Sequence, residues 1–527
     1  MKKVRFLLLG FALMLTFVSV NAKDVSTMAE LEACLTGSET ECKLIADEIT
    51  TTTDLTLSST SARNVTWNLN GKTFELNNMI TVGANVTLTI TGNGTIEGYE
   101  SDYLLYVKDG GTLILENGTY KNTAKAGGVV GLIGATADTA TKTTLTVKNG
   151  VVLTGNYGIN VAHAGSGASY GVVVNFDGEI KSITGNDGYD EGTIGISVNG
   201  YVTATSGNVP VINITENAKI KTVEGTCADL NDADAPAIYA GGYAIWNISG
   251  GTIEGSEALS IKSGKFNITG GTFKAFGKYK NPATAYNDGS EATGAAISVT
   301  ANKNYPKNVE LNIEDATVES ENGYAIYEGK TSSTETAVKT MEITSGSFTT
   351  NGEDENGNPL DAVEVGNVEG FIKGGTFSTD VEEGYLDTNL VTKEDEDGNY
   401  LVGVEHEVTV SASLNGEVEV DKEKAVKGEK VTITTTPAEG YELDEITVKV
   451  VGSNTNETVT VTDGKFEMPD ASVEVTATFV EVEEDADSNK VTISSAGVEK
   501  TVYVLTNSLT NNGEYLIVNT NSAENGY

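Results

Sequence analysis

Arginine, histidine, tryptophan, cysteine and proline are all scarce in this chain of 527 residues. It contains 7 Pro, 3 Cys, 2 Trp and 2 His, and its arginines are Arg5 and Arg63. His163 and His406 each stand alone in the sequence, and a lone histidine is most often structural, so no histidine-based catalytic site is predicted. With 59 Gly against 7 Pro, glycine makes the turns, as in β-rich repeat folds.

Positive charge is also scarce. The chain has 34 Lys and Arg against 75 Asp and Glu, which gives a net charge of -41. Such an acidic chain repels phosphate backbones, so nucleic acid is excluded as a main partner. An acidic excess can also indicate disorder, but 39% apolar residues in a periodic arrangement are enough to build a core.

The chain has one long apolar run, at residues 6–20. It follows the basic start MKKVR and ends at the small-residue site Val20-Asn21-Ala22, so residues 1–22 are predicted to be a secretory signal peptide. The run is shorter than the ~20 residues of a membrane span. We therefore expect no transmembrane segment after cleavage, and a secreted protein associated with the cell surface.

The three cysteines are treated as one exported pair and one single residue. Cys34 and Cys42 are close in sequence, and export favours disulfides, so a bond between them is one interpretation and two buried thiols in a cap is the other. Cys227, in the loop EGTCADLNDADAP, is expected to be an unreactive small residue.

A short pattern returns eleven times between residues 67 and 377: apolar, polar, apolar, a Gly/Asn/Asp turn, then apolar. Examples are WNLNGKTF at 67–74, LTITGNGTI at 88–96 and FNITGGTF at 266–273. A second apolar strand lies between successive copies, as in YLLYVKDG at 103–110. Units this small cannot bury their own apolar face, so they must stack on their neighbours.

The architecture that fits is all-β, a right-handed parallel β-helix over residues 45–404 with an N-terminal cap at 23–44. A β-sandwich is the alternative, but it would show more even strand spacing and less motif identity. In the β-helix, equivalent apolar positions form a ladder along the core: Leu69, Ile90, Leu115, Val147, Ile214, Ile248, Ile268, Ile313 and Ile343.

Both ends of the solenoid carry segments that would cover it. AELEACL at 29–35, with Ser26 or Thr27 as N-cap, predicts a short helix over the first coil. The segment at 384–404 predicts a final hairpin that turns at Asp397-Gly398. GGTFSTDV, GYL and DGNYLV in this region resemble the C-terminal end of pectin-lyase-like β-helices of adhesin-like proteins secreted by gut bacteria.

Residues 405–480 form a separate module of alternating strands. Its motifs are Gly428-Glu429 before VTITTTP, Gly440-Tyr441, Met468-Pro469 and the closing V-x-V-x-A-x-F of 473–479. Together with Gly416 in the first turn, these motifs resemble divergent relatives of the listerial internalin B-repeat. The resemblance implies a non-catalytic spacer or interaction module with a β-grasp-like fold.

An acidic linker at 481–490 follows, and residues 491–527 are expected to start a further β module that is cut short. The sequence is therefore expected to be a fragment of a longer protein.

Enzyme activity is the hypothesis to test, because β-helices of this kind often host polysaccharide lyases or hydrolases. Pectate lyases use carboxylate-bound Ca²⁺ and an arginine base, whereas polygalacturonases use clustered aspartates with His and an Arg-x-Lys pair. Arg63 lies near the cap and His163 has no Arg-x-Lys nearby, so both families are disfavoured. Glycosidase chemistry with two carboxylates ~5 to 9.5 Å apart stays open among 75 acids.

Acidic loops are the candidate metal sites. The loop NDGYDEG places Asp187, Asp190 and Glu191 together, which is either a solvated turn or a weak Ca²⁺ site. EDENGNPLD at 353–361 and EDEDGN at 394–399 are similar, and neither follows the EF-hand pattern.

Tyrosines and one tryptophan recur along the strands and could form an aromatic strip for sugar rings, or simply pack: Tyr103, Tyr106, Tyr243, Trp246, Tyr324 and Tyr327. The first hypothesis is a non-catalytic adhesin-like rod with a glycan or a host cell-surface protein as ligand. The alternative is a carbohydrate-active β-helix, either a lyase or hydrolase or a glycan-binding module. No catalytic residue and no cofactor beyond the weak Ca²⁺ candidate is assigned.

Overall fold

The computed structural model describes residues 22–482 apart from 52, 100–101, 125–126, 163–166, 183–192, 200–201, 203–205, 223–234, 280–292, 301–307, 330–337, 367 and 454–456, together with the backbone of 490–495, 498–504 and 517–518. The chain divides into two compact units, Met1–Val404 and Glu405–Tyr527.

The first unit is a parallel β-helix, as predicted. Each full coil contributes one strand in turn to three long sheets, here named A, B and C, and coil-to-coil pairing in each sheet is parallel. The β-sandwich alternative is wrong, because its sheets are antiparallel. The right-handed sense stays a prediction that the chirality of strand connections favours.

Sheet A consists of Ala22–Val25, Glu41–Leu44, Arg63–Asn68, Val86–Thr91, Thr112–Leu115, Thr143–Val147, Val172–Phe176, Val211–Ile214, Ile245–Ile248, Gly264–Ile268, Val309–Ile313 and Val338–Ile343. Sheet B consists of Glu48–Thr50, Thr73–Glu75, Thr95–Gly98, Gly118–Asn122, Val151–Gly155, Glu179–Ser182, Lys219–Lys221, Thr252–Gly255, Thr272–Ala275, Ala316–Ser320, Gly346–Thr350, Gly375–Phe377, Tyr400–Gly403 and Val391–Glu394. Sheet C consists of Leu55–Leu57, Ile80–Val82, Tyr103–Val107, Gly128–Ile133, Tyr157–Ala162, Ile194–Val198, Ile238–Ala240, Leu259–Ile261, Ile297–Thr300, Ile326–Gly329 and Val363–Glu364.

Alternating side chains of each strand fill the interior, because successive residues of a strand point to opposite faces. The predicted ladder is in register from Ile90 through Leu115 and Val147, with Phe176 as a further rung before Ile214. Leu69 is wrongly included: Trp67 pairs with Ile90, and Leu69 lies two residues further, buried at the corner.

The corner between sheets A and B is short in every coil, and in many coils it contains glycine. At Gly92 the backbone φ is +98°, and an added Cβ would lie 2.3 Å from the Asn68 side-chain oxygen of the preceding coil. Any other residue would therefore be strained there and would push the two coils apart.

The N-terminal cap is more than a helix. The helix Met28–Thr36 has Thr27 as N-cap, and Glu30 completes a capping box. The predicted boundary at residue 45 is wrong, because Ala22–Val25 and Glu41–Leu44 on either side of the helix pair in parallel and extend sheet A. Their side chains alternate between inside and outside, and Val25, Cys42 and Leu44 are buried. These strands therefore fill the interior of the β-helix in the same way as the strands of the later coils.

The other end is closed by the predicted hairpin. Val391–Glu394 and Tyr400–Gly403 pair antiparallel around Gly398, whose φ is +83°, and the second strand pairs antiparallel with Gly375–Phe377. A single-turn 3-10 helix, Glu383–Tyr385, precedes the hairpin. The edge strand carries Lys393 and Glu394, and charged side chains discourage further strand addition.

The second unit begins with a small β module, and its described residues carry only strands. They form two sheets, of five and three strands: His406–Val410, Gly416–Val420, Lys424–Ala425, Lys430–Pro437, Tyr441–Val450, Thr458–Val459, Lys465–Glu467 and Val473–Glu481. Beyond it, the backbone of Lys490–Ser495, Val498–Val504 and Ile517–Val518 forms an antiparallel three-stranded sheet.

Two residues of the family pattern have clear structural roles in this module. A Cβ at Gly416 would lie 2.5 Å from the Phe479 ring, so glycine is required where that ring packs. The side chain of Glu429 is buried, accepts a hydrogen bond from the Val426 N–H and pairs with Lys422 at 3.0 Å. Gly416 thus makes room for a packing contact, and Glu429 is a buried carboxylate paired with the partly exposed Lys422.

Candidate functional site

The predicted site residues divide between the structure and the segments it does not describe. Cys34 and Cys42 are joined by a disulfide with Cα atoms 5.9 Å apart, so the interpretation as two free thiols does not describe this structure. Residues 1–21 of the predicted signal peptide lie outside the described residues, and its last residue, Ala22, begins the first strand of sheet A. The calcium candidates Asp187, Asp190 and Glu191, the single Cys227 and His163 also lie outside the described residues. They stay predictions.

Arg63 holds the cap helix rather than a reacting group. Its guanidinium donates hydrogen bonds to the Leu35 carbonyl and, at 3.3 Å, to the Cys34 carbonyl. Both acceptors lie in the last turn of the helix, where carbonyls lack partners within the helix. Partial burial lowers the pKa of the guanidinium, but the group remains the cation that a helix C-terminus favours.

Replacing Arg63 with Gln should therefore loosen the cap. We expect a loss of about 1–3 kcal/mol in local stability, because two buried carbonyls lose a charged donor. Hydrogen exchange of the amides in Met28–Thr36 measures this loss. The control is Lys72→Gln, which breaks a surface ion pair with the 94% exposed Asp47 and should cost less than ~1 kcal/mol. Equal protection of the helix in both variants would contradict the assignment.

The acidic loops at 353–361 and 394–399 use their first aspartate to hold a turn. The Asp354 carboxylate accepts hydrogen bonds from the N–H groups of Asn356 and Asn358, both at 2.8 Å, and from their side-chain amides. The Asp395 carboxylate accepts hydrogen bonds from the N–H groups of Asp397 and Asn399 and from the Asn399 side-chain amide. Each carboxylate is thus occupied by donors of its own loop, and no group of three metal-binding side chains occurs among the described residues.

The turn at Asp354 should lose stability at low pH, when the Asp354 carboxylate becomes protonated. The hydrogen bonds from Asn358 and then Asn356 lower the pKa of Asp354 to about 2. Because this folded pKa lies below the unfolded value, the stabilisation is complete above about pH 4 and is lost as pH falls through 2. NMR titration of the Asp354 side chain should show a midpoint near 2, and Asn356→Ala with Asn358→Ala should raise it. A wild-type midpoint near 4 would contradict the turn.

The aromatic strip does not form one continuous surface. Trp246 is fully buried inside the β-helix and stacks on Phe266 with ring centroids 5.8 Å apart, so it cannot meet a ligand. Tyr243 is 6% exposed and belongs to a satellite cluster with Val202 and Val209. Of the two alternatives for these residues, packing is the one that the structure bears out, because both side chains are buried.

The remaining tyrosines form two pairs on the outward face of sheet C. The rings of Tyr103 and Tyr106 lie 5.9 Å apart and nearly parallel, and both residues are half-buried. Tyr324 and Tyr327 stack at 4.7 Å, and Tyr279 contacts both edge-on. Burial raises the pKa of the Tyr324 and Tyr327 hydroxyls, so both are neutral donors at physiological pH.

The three outward faces of the β-helix have different chemistry. On sheet A, asparagine amides form a ladder in which each Nδ2 donates to the Oδ1 of the preceding coil, at 2.8 to 3.4 Å. Its members are Asn175, Asn213, Asn247, Asn267 and Asn312. Sheet B carries lysine–glutamate pairs between coils, such as Lys121–Glu97 and Lys274–Glu319, both at 2.6 Å.

Among the described residues, the outward row of sheet C lacks a repeating pair of this kind. Register places these residues in one line: Thr56, Thr81, Tyr106, Gly131, Asn160, Ser197, Tyr239, Ser260, Ser298, Tyr327 and Glu364. The row contains three tyrosines and no lysine. The small residues between and beside the tyrosines are mostly buried: Thr81, Gly131, Ser197, Ser260 and Ser298. This face is the candidate site, since the rings of Tyr106 and Tyr239 are half-buried there, whereas Tyr327 is buried.

Two buried carboxylates escape prediction from the sequence. Glu257 accepts hydrogen bonds from the N–H and hydroxyl of Thr293, at 2.5 and 2.6 Å. Glu328 is 4% exposed and accepts bonds from the N–H groups of Val338 and Gly366, both at 3.0 Å. Both hold main chain of neighbouring coils. No local sequence pattern distinguishes these two glutamates from exposed ones. The asparagine ladder of sheet A, in contrast, corresponds to a repeated Asn in the sequence motifs WNI, FNI and LNI.

Comparison with known proteins identifies one segment. The family described as divergent InlB B-repeat domain matches residues 406–483, which confirms the resemblance stated for the second module. No curated protein and no solved structure is similar enough to the chain to count as a match. The described residues contain no helix long and apolar enough to cross a membrane.

Proposed function

We propose that the chain is a secreted, surface-displayed, adhesin-like rod without catalytic activity. The observation that carries the proposal is the pairing of a capped parallel β-helix with an InlB B-repeat-like module, a type of domain found in surface proteins. The β-helix provides a long rigid face, which would lose little conformational entropy when it binds a ligand. The InlB B-repeat-like module follows it directly in the chain. The acidic composition supports this proposal, since self-repulsion keeps such rods apart.

Adhesion of beads tests the proposal. Beads coated with the mature chain 23–527 should adhere to epithelial cells or purified mucin more than beads coated with a matched acidic protein. The same preparation, incubated with a panel of polysaccharides, should release no reducing ends. Failure to adhere, or turnover of any polymer, would overturn the proposal. Secretion is tested separately by N-terminal sequencing of exported protein, which should begin at Lys23.

A further inference from the structure

The small β module has one long strand at the open edge of a sheet. Gly416–Val420 ends the three-stranded sheet and, among the described residues, pairs with Lys430–Pro437 alone. The other end strands of the two sheets have two or three residues: Lys424–Ala425, Thr458–Val459 and Lys465–Glu467. Short end strands protect a sheet from strand addition, whereas a longer one is a template for it. Gly416–Val420 is therefore the edge most suited to accept a further strand.

The register shows which backbone groups of this edge strand point outward. The Asp421 N–H donates to the Thr432 carbonyl of the neighbouring strand, at 3.1 Å. Hydrogen-bonded pairs alternate along an antiparallel ladder, so Glu419 also bonds to the neighbouring strand. The N–H and C=O groups of Val418 and Val420 consequently point away from it. They are the groups that an added strand would pair with.

A groove of about 540 Å³ lies beside this edge. It is lined by residues 407–410 of the first strand of the module, by Glu419 and Val420 of the edge strand, and by Glu423 and Lys424. The volume is within the range of clefts that bind ligands. We call it the module groove.

The opposite wall of the module groove is also a strand edge. The Ser411 N–H donates to the Val475 carbonyl, so the backbone groups of Val410 point to the other side of their strand, where the groove lies. Val410 is two residues from the buried Val408 and has the same orientation, yet it is 37% exposed. An apolar side chain placed in the groove would cover it.

The rim of the module groove is mainly acidic. Glu407, Glu419 and Glu423 are exposed there, and Lys424 is the one cation among the lining residues. Like charges that face each other across two strands are destabilising, whereas opposite charges stabilise the pair. A second copy of this acidic edge is therefore repelled, and a strand that carries lysine or arginine is attracted.

We propose that the module groove binds an extended protein segment of alternating apolar and basic residues, which adds as a strand to the edge Gly416–Val420. Its apolar side chains contact Val410 and Val420, and its basic side chains face the glutamates of the rim. In strand addition, backbone hydrogen bonds provide affinity and alternate side chains provide specificity. The inference goes beyond the adhesin-like role, since it assigns the module a protein partner of its own.

Hydrogen exchange of the mature chain 23–527, measured by mass spectrometry with and without peptide, tests the proposal. The probe is an eight-residue capped peptide in which lysine and valine alternate. The control peptide has the same composition with its lysines in one block. The alternating peptide should bind and slow exchange within residues 406–420, and the block peptide should bind about tenfold more weakly, because it cannot present the two side-chain types on opposite faces.

Two variants locate the binding. Val418→Pro removes an outward N–H that the neighbouring strand does not use, a position where an edge strand tolerates proline, and should weaken binding about tenfold. Glu419→Lys reverses one charge of the rim and should also weaken binding about tenfold. The matched control is Glu439→Lys, which makes the same charge change at an exposed residue outside the groove and should leave binding unchanged.

Several outcomes would overturn the proposal. They are no binding of the alternating peptide, equal binding of the block peptide, equally tight binding of a peptide that alternates glutamate and valine, and Glu419→Lys that binds like Glu439→Lys. Self-association of the chain that Val418→Pro abolishes, measured by sedimentation, would make a second copy the occupant instead. If Val418→Pro speeds exchange of Lys430–Pro437 without peptide, its strand is disturbed and Glu419→Lys decides. Bead adhesion reports separately on the adhesin-like role.

Discussion

Replacing Trp246 with Ala should lower the stability of the β-helix more than loss of the cap disulfide or of the Arg63 side chain. The indole is fully buried in the β-helix interior, between neighbouring coils, and stacks on Phe266. Truncation removes its apolar burial and leaves a cavity that the regular coils cannot close, at a cost of about 3–5 kcal/mol. Urea unfolding followed by circular dichroism measures the loss, and hydrogen exchange of Ile245–Ile248 locates it.

Trp246→Phe is the matched control for this cavity. The indole Nε1–H is buried without a hydrogen-bond acceptor among the described residues, so phenylalanine removes an unsatisfied donor while keeping an aromatic ring. The cost should fall to roughly 1–2 kcal/mol, because the smaller ring leaves a smaller cavity than alanine does. If the Ala and Phe variants lose similar amounts of unfolding free energy, the stability of the β-helix does not depend on how fully the side chain at position 246 fills the interior.

Removing the Cys34–Cys42 disulfide should be the next most damaging change. The bond closes a loop of sequence separation 8 that joins the cap helix to the second strand of sheet A. For a loop this short, chain entropy predicts a loss of about 2–3 kcal/mol in the double variant Cys34→Ala, Cys42→Ala. Thermal unfolding under oxidising conditions measures it, and hydrogen exchange in Met28–Thr36 should rise first.

Reduction of the wild-type protein provides an independent check. Reduced wild type should unfold at nearly the same temperature as the double variant, since both lack the cross-link. Cys227→Ala is the control, because it removes a thiol and leaves the bond in place. If oxidised wild type and the double variant unfold at the same temperature, the disulfide does not constrain the cap.

The fold was predictable because its signal is repeated. Alternation in WNL, LTI and FNI places every second side chain inside. One short segment of this kind could belong to a strand or to a helix, but the same pattern in eleven copies identifies strands. The start of the solenoid was missed because Ala22–Val25 and Glu41–Leu44 are short, flank a helix and lack the turn motif. Their place in sheet A depends on pairing with Arg63–Asn68, which no local pattern specifies.

The candidate site was only partly predictable, for a different reason. Tyr106 and Trp246 look alike in sequence, since each belongs to a short apolar strand, yet one points outward and the other inward. Register decides between them: Tyr106 pairs with Gly131 on the outer row, whereas Trp246 pairs with the buried Ile212 and Phe266. A shift of one residue would exchange the two faces, so the strand pattern alone cannot assign an aromatic residue to a ligand.

The asparagine ladder of sheet A gives the β-helix a direction. Every amide donates to the coil before it, and the first donates to Thr146, so the side-chain dipoles point the same way and polarise one another. A coil that brings its own asparagine accepts from one neighbour and donates to the other. Such a coil can be duplicated or lost within the ladder without leaving an unmatched amide. The β-helix can therefore change in length by whole coils while the chemistry of this face stays the same.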